Sequence, residues 1–135
     1  MSEDCIFCKI VKGEIPSYTL YEDDKIKVFL DINPVSRGHS LYIPKKHYKT
    51  IDEIPNEEMD FIQQLPTIVK KIKEATDATG INILQSNGKD AGQEIPHVHF
   101  HIIPRYPNDG IIKFPKQNKL EDSEAKKIIE KFKGI

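Results

Sequence analysis

The run His97-Val98-His99-Phe100-His101-Ile102-Ile103 constrains this chain more than any other stretch. Strict alternation of polar and apolar side chains is the period of a β-strand, because successive residues of a strand face opposite sides. The pattern predicts a strand over 98–103, with His97, His99 and His101 on one face and Val98, Phe100 and Ile102 turned into a core. Three of the chain's five histidines fall within these few residues. Imidazole on a rigid strand can serve as nucleophile, general acid or metal ligand at neutral pH. A merely structural role is the weaker explanation, since three neighbouring imidazoles would each need a partner in a core.

The surrounding pattern is that of an α+β chain. Short apolar segments near 18–21, 26–30 and 40–43 are separated by Asp23-Asp24 and Asn33-Pro34, and read as consecutive antiparallel strands. A long helix is expected over about 55–79, from the helical spacing of Phe61, Ile62, Leu65, Ile68, Val69, Ile72 and Ala75, stopping before Gly80. Pro66 falls inside that span and should kink it. Two further strands, over 81–85 and 98–103, bracket a polar loop, and a last helix is expected over about 121–133. With 135 residues the chain has room for one core, so a single domain over 1–135 is expected.

Composition narrows the function classes. A net charge of −1 and a pI near 6.5 give no electrostatic footing for nucleic acid. No apolar run reaches the roughly 18 residues of a membrane span, and the N-terminus lacks a signal-peptide pattern, so a cytoplasmic enzyme is expected.

Two other stretches carry chemistry. The loop Asn87-Gly88-Lys89-Asp90-Ala91-Gly92-Gln93-Glu94 precedes the histidine strand. Its glycines let backbone N–H groups approach an anion closely, although an ordinary connection between strands has the same composition. Cys5 and Cys8 form Cys-x-x-Cys, which in a cytosolic chain suits a metal, a redox dithiol or coincidence. A thioredoxin-like role wants the pair after a strand in a βαβ unit, which the chain terminus does not supply.

With these blocks in view, the chain resembles the histidine-triad (HIT) superfamily of nucleotide hydrolases and transferases, in its prokaryotic branch. The signature is His97-x-His99-x-His101 followed by two apolar residues. Cys5-Ile6-Phe7-Cys8-Lys9-Ile10, Gly13-Glu14-Ile15-Pro16, Leu30-Asp31-Ile32-Asn33-Pro34, Gly38-His39, Ile43-Pro44-Lys45-Lys46-His47 and Gly92-Gln93-Glu94 match further blocks in order. The likeness covers about residues 5–106 and leaves 107–135 as an extension.

The resemblance implies a HIT-like fold: an antiparallel meander of about five strands, one long helix and a C-terminal helix, with the sheet continued across a homodimer. It implies an adenine nucleotide as substrate, cleaved at the α-phosphate with release of AMP. His99 would be the nucleophile and His101 would bond the phosphoryl oxygens. Asp31 and Ile32 would hold the nucleoside, His39 would line the site, and Asn87, Gly92, Gln93 and Glu94 would meet the phosphate. It also supplies two partners for the cysteines, His47 and His97, so a structural zinc is expected on Cys5, Cys8, His47 and His97. No organic cofactor is expected. Two rivals remain at this level: a zinc hydrolase using the three triad histidines as ligands, and a nucleotide-binding regulator or scaffold with little turnover.

Overall fold

The computed structural model describes residues 4–135. A one-and-a-half-turn helix, α1 (Ile6–Val11), opens the chain. Strands β1 (Thr19–Glu22), β2 (Ile26–Leu30) and β3 (Ser40–Pro44) follow. After 3₁₀ turns at Ile51–Glu53 and Asn56–Gln64 come α2 (Leu65–Thr76), β4 (Gly80–Leu84), β5 (Phe100–Arg105) and α3 (Asp122–Lys133). The turn between β1 and β2 is tied by Asp23, whose carboxylate accepts the N–H groups of Lys25 and Ile26 at 2.8 and 2.9 Å. Asp31 closes β2 in the same way, accepting the Asn33 N–H at 2.8 Å.

All neighbouring strands are antiparallel, as expected, in the order β1-β2-β3-β5-β4. The connection through α2 carries β4 to the open edge, so β5 returns between β3 and β4. The histidine strand is thereby held by ladders on both sides, pairing Ser40 with Ile102 and Ile83 with Ile102.

Both faces of the sheet are covered. Val28, Tyr42, Phe100 and Ile102 pack with Phe61, Ile68 and Ile72 beneath α2. Phe29, Leu41 and Ile43, one residue out of phase, pack on the opposite face with Phe7 and Ile10 of α1. This second layer was invisible as periodicity, since α1 is too short to show a helical repeat.

The single helix expected over 55–79 is two elements. Residues 56–64 wind as a 3₁₀ segment and the α-helix begins only at Leu65. Pro66 lies in the first turn of α2, a position that tolerates its missing N–H, so it starts the helix instead of kinking it. The helix ends at Thr76, capped by Asp77 in a left-handed conformation, φ +56°, rather than running to Thr79. The last helix is found where expected, but its large apolar residues Ile128, Ile129 and Phe132 are exposed. Among the described residues no helix is long and apolar enough to cross a membrane.

Candidate active site

The triad histidines divide their work at the edge of β5. Val98, Phe100 and Ile102 enter the core under α2, as the alternation requires. Only His101 sits inside the ladder, because β5 begins at Phe100. His97 and His99 lie on the approach to the strand and are buried there, at 0 and 7% exposure.

Hydrogen bonds to backbone groups fix the protons. His99 Nδ1 lies 2.7 Å from the carbonyl oxygen of His97, so Nδ1–H donates and Nε2 keeps its lone pair. His39 Nδ1 accepts the Val35 N–H at 3.1 Å, which puts its proton on Nε2. That proton faces His101 Nδ1 at 2.9 Å, which must accept it and keep its own proton on Nε2. The site therefore offers a nucleophilic nitrogen on His99 and a donor on His101.

Burial keeps these rings neutral. Desolvation pulls the His101 imidazole down to about 4, with the nearby His99 and His39 acting in the same direction. His99 and His39 are also lowered from 6.5 by burial, opposed in both by the carboxylate of Asp31 and in His99 also by the His97 carbonyl. Asp31 stands 3.6 Å from His39 Nε2.

A cavity of about 590 Å³ opens in front of His99 and His101. Asp31, Ile32, His39, Gly92 and Glu94 join them in lining it. The opposite wall is apolar, from Phe7, Ile10, Ile15, Phe29, Leu41 and Ile95. Sequence reasoning placed the polar wall but missed the apolar one, whose members come from four separate segments: the α1 region, β2, β3 and the loop before β5. A flat aromatic ligand fits such a wall.

Asn87 and Gln93 are absent from that lining. Asn87 accepts the Ile51 N–H at 2.7 Å and exchanges amide bonds with Gln85. Gln93 accepts the Gly88 N–H at 2.7 Å and donates to the carbonyls of Lys49 and Ile95. Both side chains brace the loop from within. Gly88 and Gly92 take φ of +92° and +86°, which suits glycine and turns the loop back toward β5.

A second cluster includes His97, two residues before His99. Ligand atoms of Cys5, Cys8, His47 and His97 all fall within 4.8 Å of one another. Cys5 Sγ is 3.3 Å from His97 Nδ1, Cys8 Sγ 3.3 Å from His47 Nδ1, and the two Nδ1 atoms are 3.2 Å apart. Tetrahedral zinc spaces such ligands at roughly 3.5 Å for S to N and roughly 3.3 Å for N to N. The cysteines are thiols, not a disulfide. His97 Nε2–H donates to the Pro44 carbonyl at 2.9 Å, leaving Nδ1 free to ligate, which is the usual outer support of a metal-binding histidine. Burial lowers His97 to about 4, so it is already in the ligand form. The donor set fits a metal. The rival arrangement does not form: His97 turns to the cysteines and His99 to a carbonyl, so the triad does not surround one point.

Comparison with known proteins shows the family. The HIT domain profile matches residues 12–108. An adenosine 5'-monophosphoramidase of Saccharomyces cerevisiae is 48% identical over 101 residues, covering 75% of this chain and 62% of that protein. The crystal structure of a Streptococcus mutans protein superposes with a TM-score of 0.94 at 34% identity, over 99% of this chain and 86% of that one. A HIT family member from Bacillus subtilis gives 0.91 at 35%, over 98% and 96%. Scores this high require residues 107–135, about a fifth of the chain, to superpose as well. With the profile spanning most of its length and the histidines ordered as its site chemistry needs, the chain belongs to the HIT family.

Proposed function

We propose that the protein hydrolyses adenosine 5'-phosphate derivatives at the phosphorus next to the ribose and releases AMP. The observation that carries this reading is the His99 Nδ1–H bond to the His97 carbonyl, because it leaves a buried, neutral Nε2 lone pair facing a nucleotide-sized cavity. That lone pair attacks phosphorus, the bond to the leaving group breaks, and the departing atom takes its electron pair and a proton from water. The resulting nucleotidyl-histidine is positively charged; its Nδ1–H remains on the His97 oxygen, and Asp31 lies nearby. His101 Nε2–H bonds the phosphoryl oxygens as negative charge gathers there. Water then attacks the same phosphorus, its proton passing to the hydroxide left by the first step, the P–N bond breaks, and the pair returns to Nε2.

Asp31 takes the ribose hydroxyls, the apolar wall takes the adenine, and the backbone of Gly92 and Glu94 takes the phosphate, with Asn87 and Gln93 holding that loop in shape. No comparable group grips the portion beyond the phosphate, so amines, sulfate and nucleotides are all acceptable leaving groups. Zinc on Cys5, Cys8, His47 and His97 is structural in this reading, since four protein ligands leave no open position. When bound it supplies a cross-link between α1, the end of β3 and the approach to β5. A homodimer joined along the β4 edge, and a reducing, cytoplasmic setting for the thiols, complete the proposal.

The test is a panel of adenosine phosphoramidates, adenosine phosphosulfate and dinucleoside polyphosphates in ¹⁸O water. Label should enter AMP. Label found only in the other product would place the attack elsewhere, and binding without turnover would return the regulator reading.

A further inference from the structure

A second cavity, of about 400 Å³, opens on the face of the sheet that α2 covers. Leu30 and Ser40 face it, in phase with Val28 and Tyr42, whereas Phe29 and Leu41 face the cavity of His99. Leu20 of β1 completes the sheet wall. One stripe of α2 forms the other wall: Ile68, Lys71, Ile72, Ala75 and Thr76 follow the i, i+3, i+4, i+7, i+8 spacing of a single helical face. The space exists because α2 lies chiefly over β5 and β4. Toward β1 the helix and the sheet part, and Leu20 is left half exposed at the gap.

The charge of this cavity is of one sign. Arg37 and Lys71 belong to its lining, and no Asp or Glu joins them. Neither is ion-paired with a carboxylate among the described residues. Arg37 is also held in place. Its Nη1 donates to the Thr76 carbonyl at 2.8 Å, and the Tyr106 hydroxyl donates to the Arg37 carbonyl at 2.8 Å. With Nη1 engaged, the N–H groups of Nε and Nη2 remain as a side-on fork, an edge that meets both oxygens of a carboxylate. The turn and the helix already touch, since a Cβ at Gly38 would stand 2.4 Å from Thr76 Cγ2. An apolar cleft with a few convergent polar groups, formed before the ligand arrives, is the usual form of a small-molecule site.

We propose that this cavity binds a free acyl carboxylate, with the chain between Leu20, Leu30, Ile68 and Ile72 and the head on Arg37 and Lys71. The apolar chain covers the surface that α2 leaves open, and the negative head answers two cations that have no carboxylate of their own. The site lies across the sheet from His99 and is independent of the reaction proposed above.

The experiment titrates full-length ¹⁵N-labelled protein with decanoate and follows the amide resonances. Saturable binding is expected at or below about 1 mM, with shifts at Leu20, Gly38 and Ala75. Decanol and decyltrimethylammonium should each bind about fivefold or more weakly, because the first lacks the charge and the second reverses it. Arg37→Gln and Lys71→Gln should each raise the decanoate dissociation constant about threefold or more. Lys71 is exposed on its helix, so its variant keeps the test alive if Arg37→Gln fails to fold. Shifts confined to Ile15 and Ile95 would put decanoate in the cavity of His99 and overturn the inference. Binding that does not saturate, equal binding of decyltrimethylammonium, or an unchanged dissociation constant in both variants would overturn it as well.

Discussion

His39 Nε2 lies 2.9 Å from His101 Nδ1, and this contact decides which nitrogen of His101 holds a proton. The Val35 N–H occupies the far side of His39, so the order of donors runs in one direction, from backbone to His39 to His101. A histidine 62 residues from His101 in sequence thus sets which nitrogen of His101 is free to donate into the cavity. His39→Ala should lower kcat by about tenfold or more with little change in KM, because binding groups remain while the His101 tautomer is freed. An equal rise in KM with intact kcat would make His39 a simple contact residue.

The nucleophile is tested most directly at His99. His99→Ala should lower turnover by at least about 10³-fold while AMP still binds, since the other residues lining the cavity remain. Acid quench of the wild type within one turnover should trap a labelled adduct on that residue. Near-normal kcat in the variant would end the covalent reading.

Protonation gives the pH dependence. The His99 imidazole is held below its ordinary 6.5, so the nucleophile is neutral at pH 7 and is lost only as pH falls below 6.5. The acid limb of kcat/KM should therefore have its midpoint under 6.5. Stability follows the same sign through His101, whose folded value is about 4 against 6.5 unfolded. Its contribution is complete above pH 6.5 and drains away as pH falls toward about 4, because only the unfolded chain then takes the proton. His101→Asn should flatten that part of the Tm against pH curve; an unaltered slope would mean the ring is solvated.

Metal content is open to direct measurement. Purified protein should carry about one zinc per chain, and Cys5→Ser or Cys8→Ser should each lower Tm by roughly 10 °C or more through loss of the tie between α1 and the sheet. X-ray absorption should report two sulfur and two nitrogen neighbours. Metal-replete protein with no bound zinc and an unaltered Tm in both variants would dismiss the site.

Gly38 shows how tightly the His39 turn is built. Its φ is +89°, and a Cβ there would stand 2.4 Å from Thr76 Cγ2. Gly38→Ala should destabilise the fold by about 1–3 kcal/mol and reduce kcat by displacing His39. Calorimetry and a kinetic assay on the same sample check both; a neutral result in each would show that the turn relaxes freely.

Much of this molecule was written locally. Alternation over 97–103 assigned the faces of β5, Asp23 and Asn33-Pro34 marked the turns, and the helical spacing of Ile68 and Ile72 located the buried side of α2. These signals depend on neighbours in the chain, so a one-dimensional reading finds them. The same local signals misjudged Pro66, because whether a proline starts a helix or kinks it depends on where the preceding 3₁₀ segment packs through Phe61.

What only the tertiary structure decided is which distant groups meet. The family pattern nominated Cys5, Cys8, His47 and His97, but their separations of about 3.3 Å arise from α1 folding against the far side of β2 and β3. The placement of β5 between β3 and β4 likewise brings His39 to His101, and Pro44 to His97. Proton positions on the imidazoles then follow from backbone carbonyls and amides, which every residue carries and no sequence pattern can mark. Residue types were therefore legible in the sequence; their protonation, their pairing and the roles of Asn87 and Gln93 as braces were set by packing, because hydrogen bonds are made to whatever the fold brings within 3 Å.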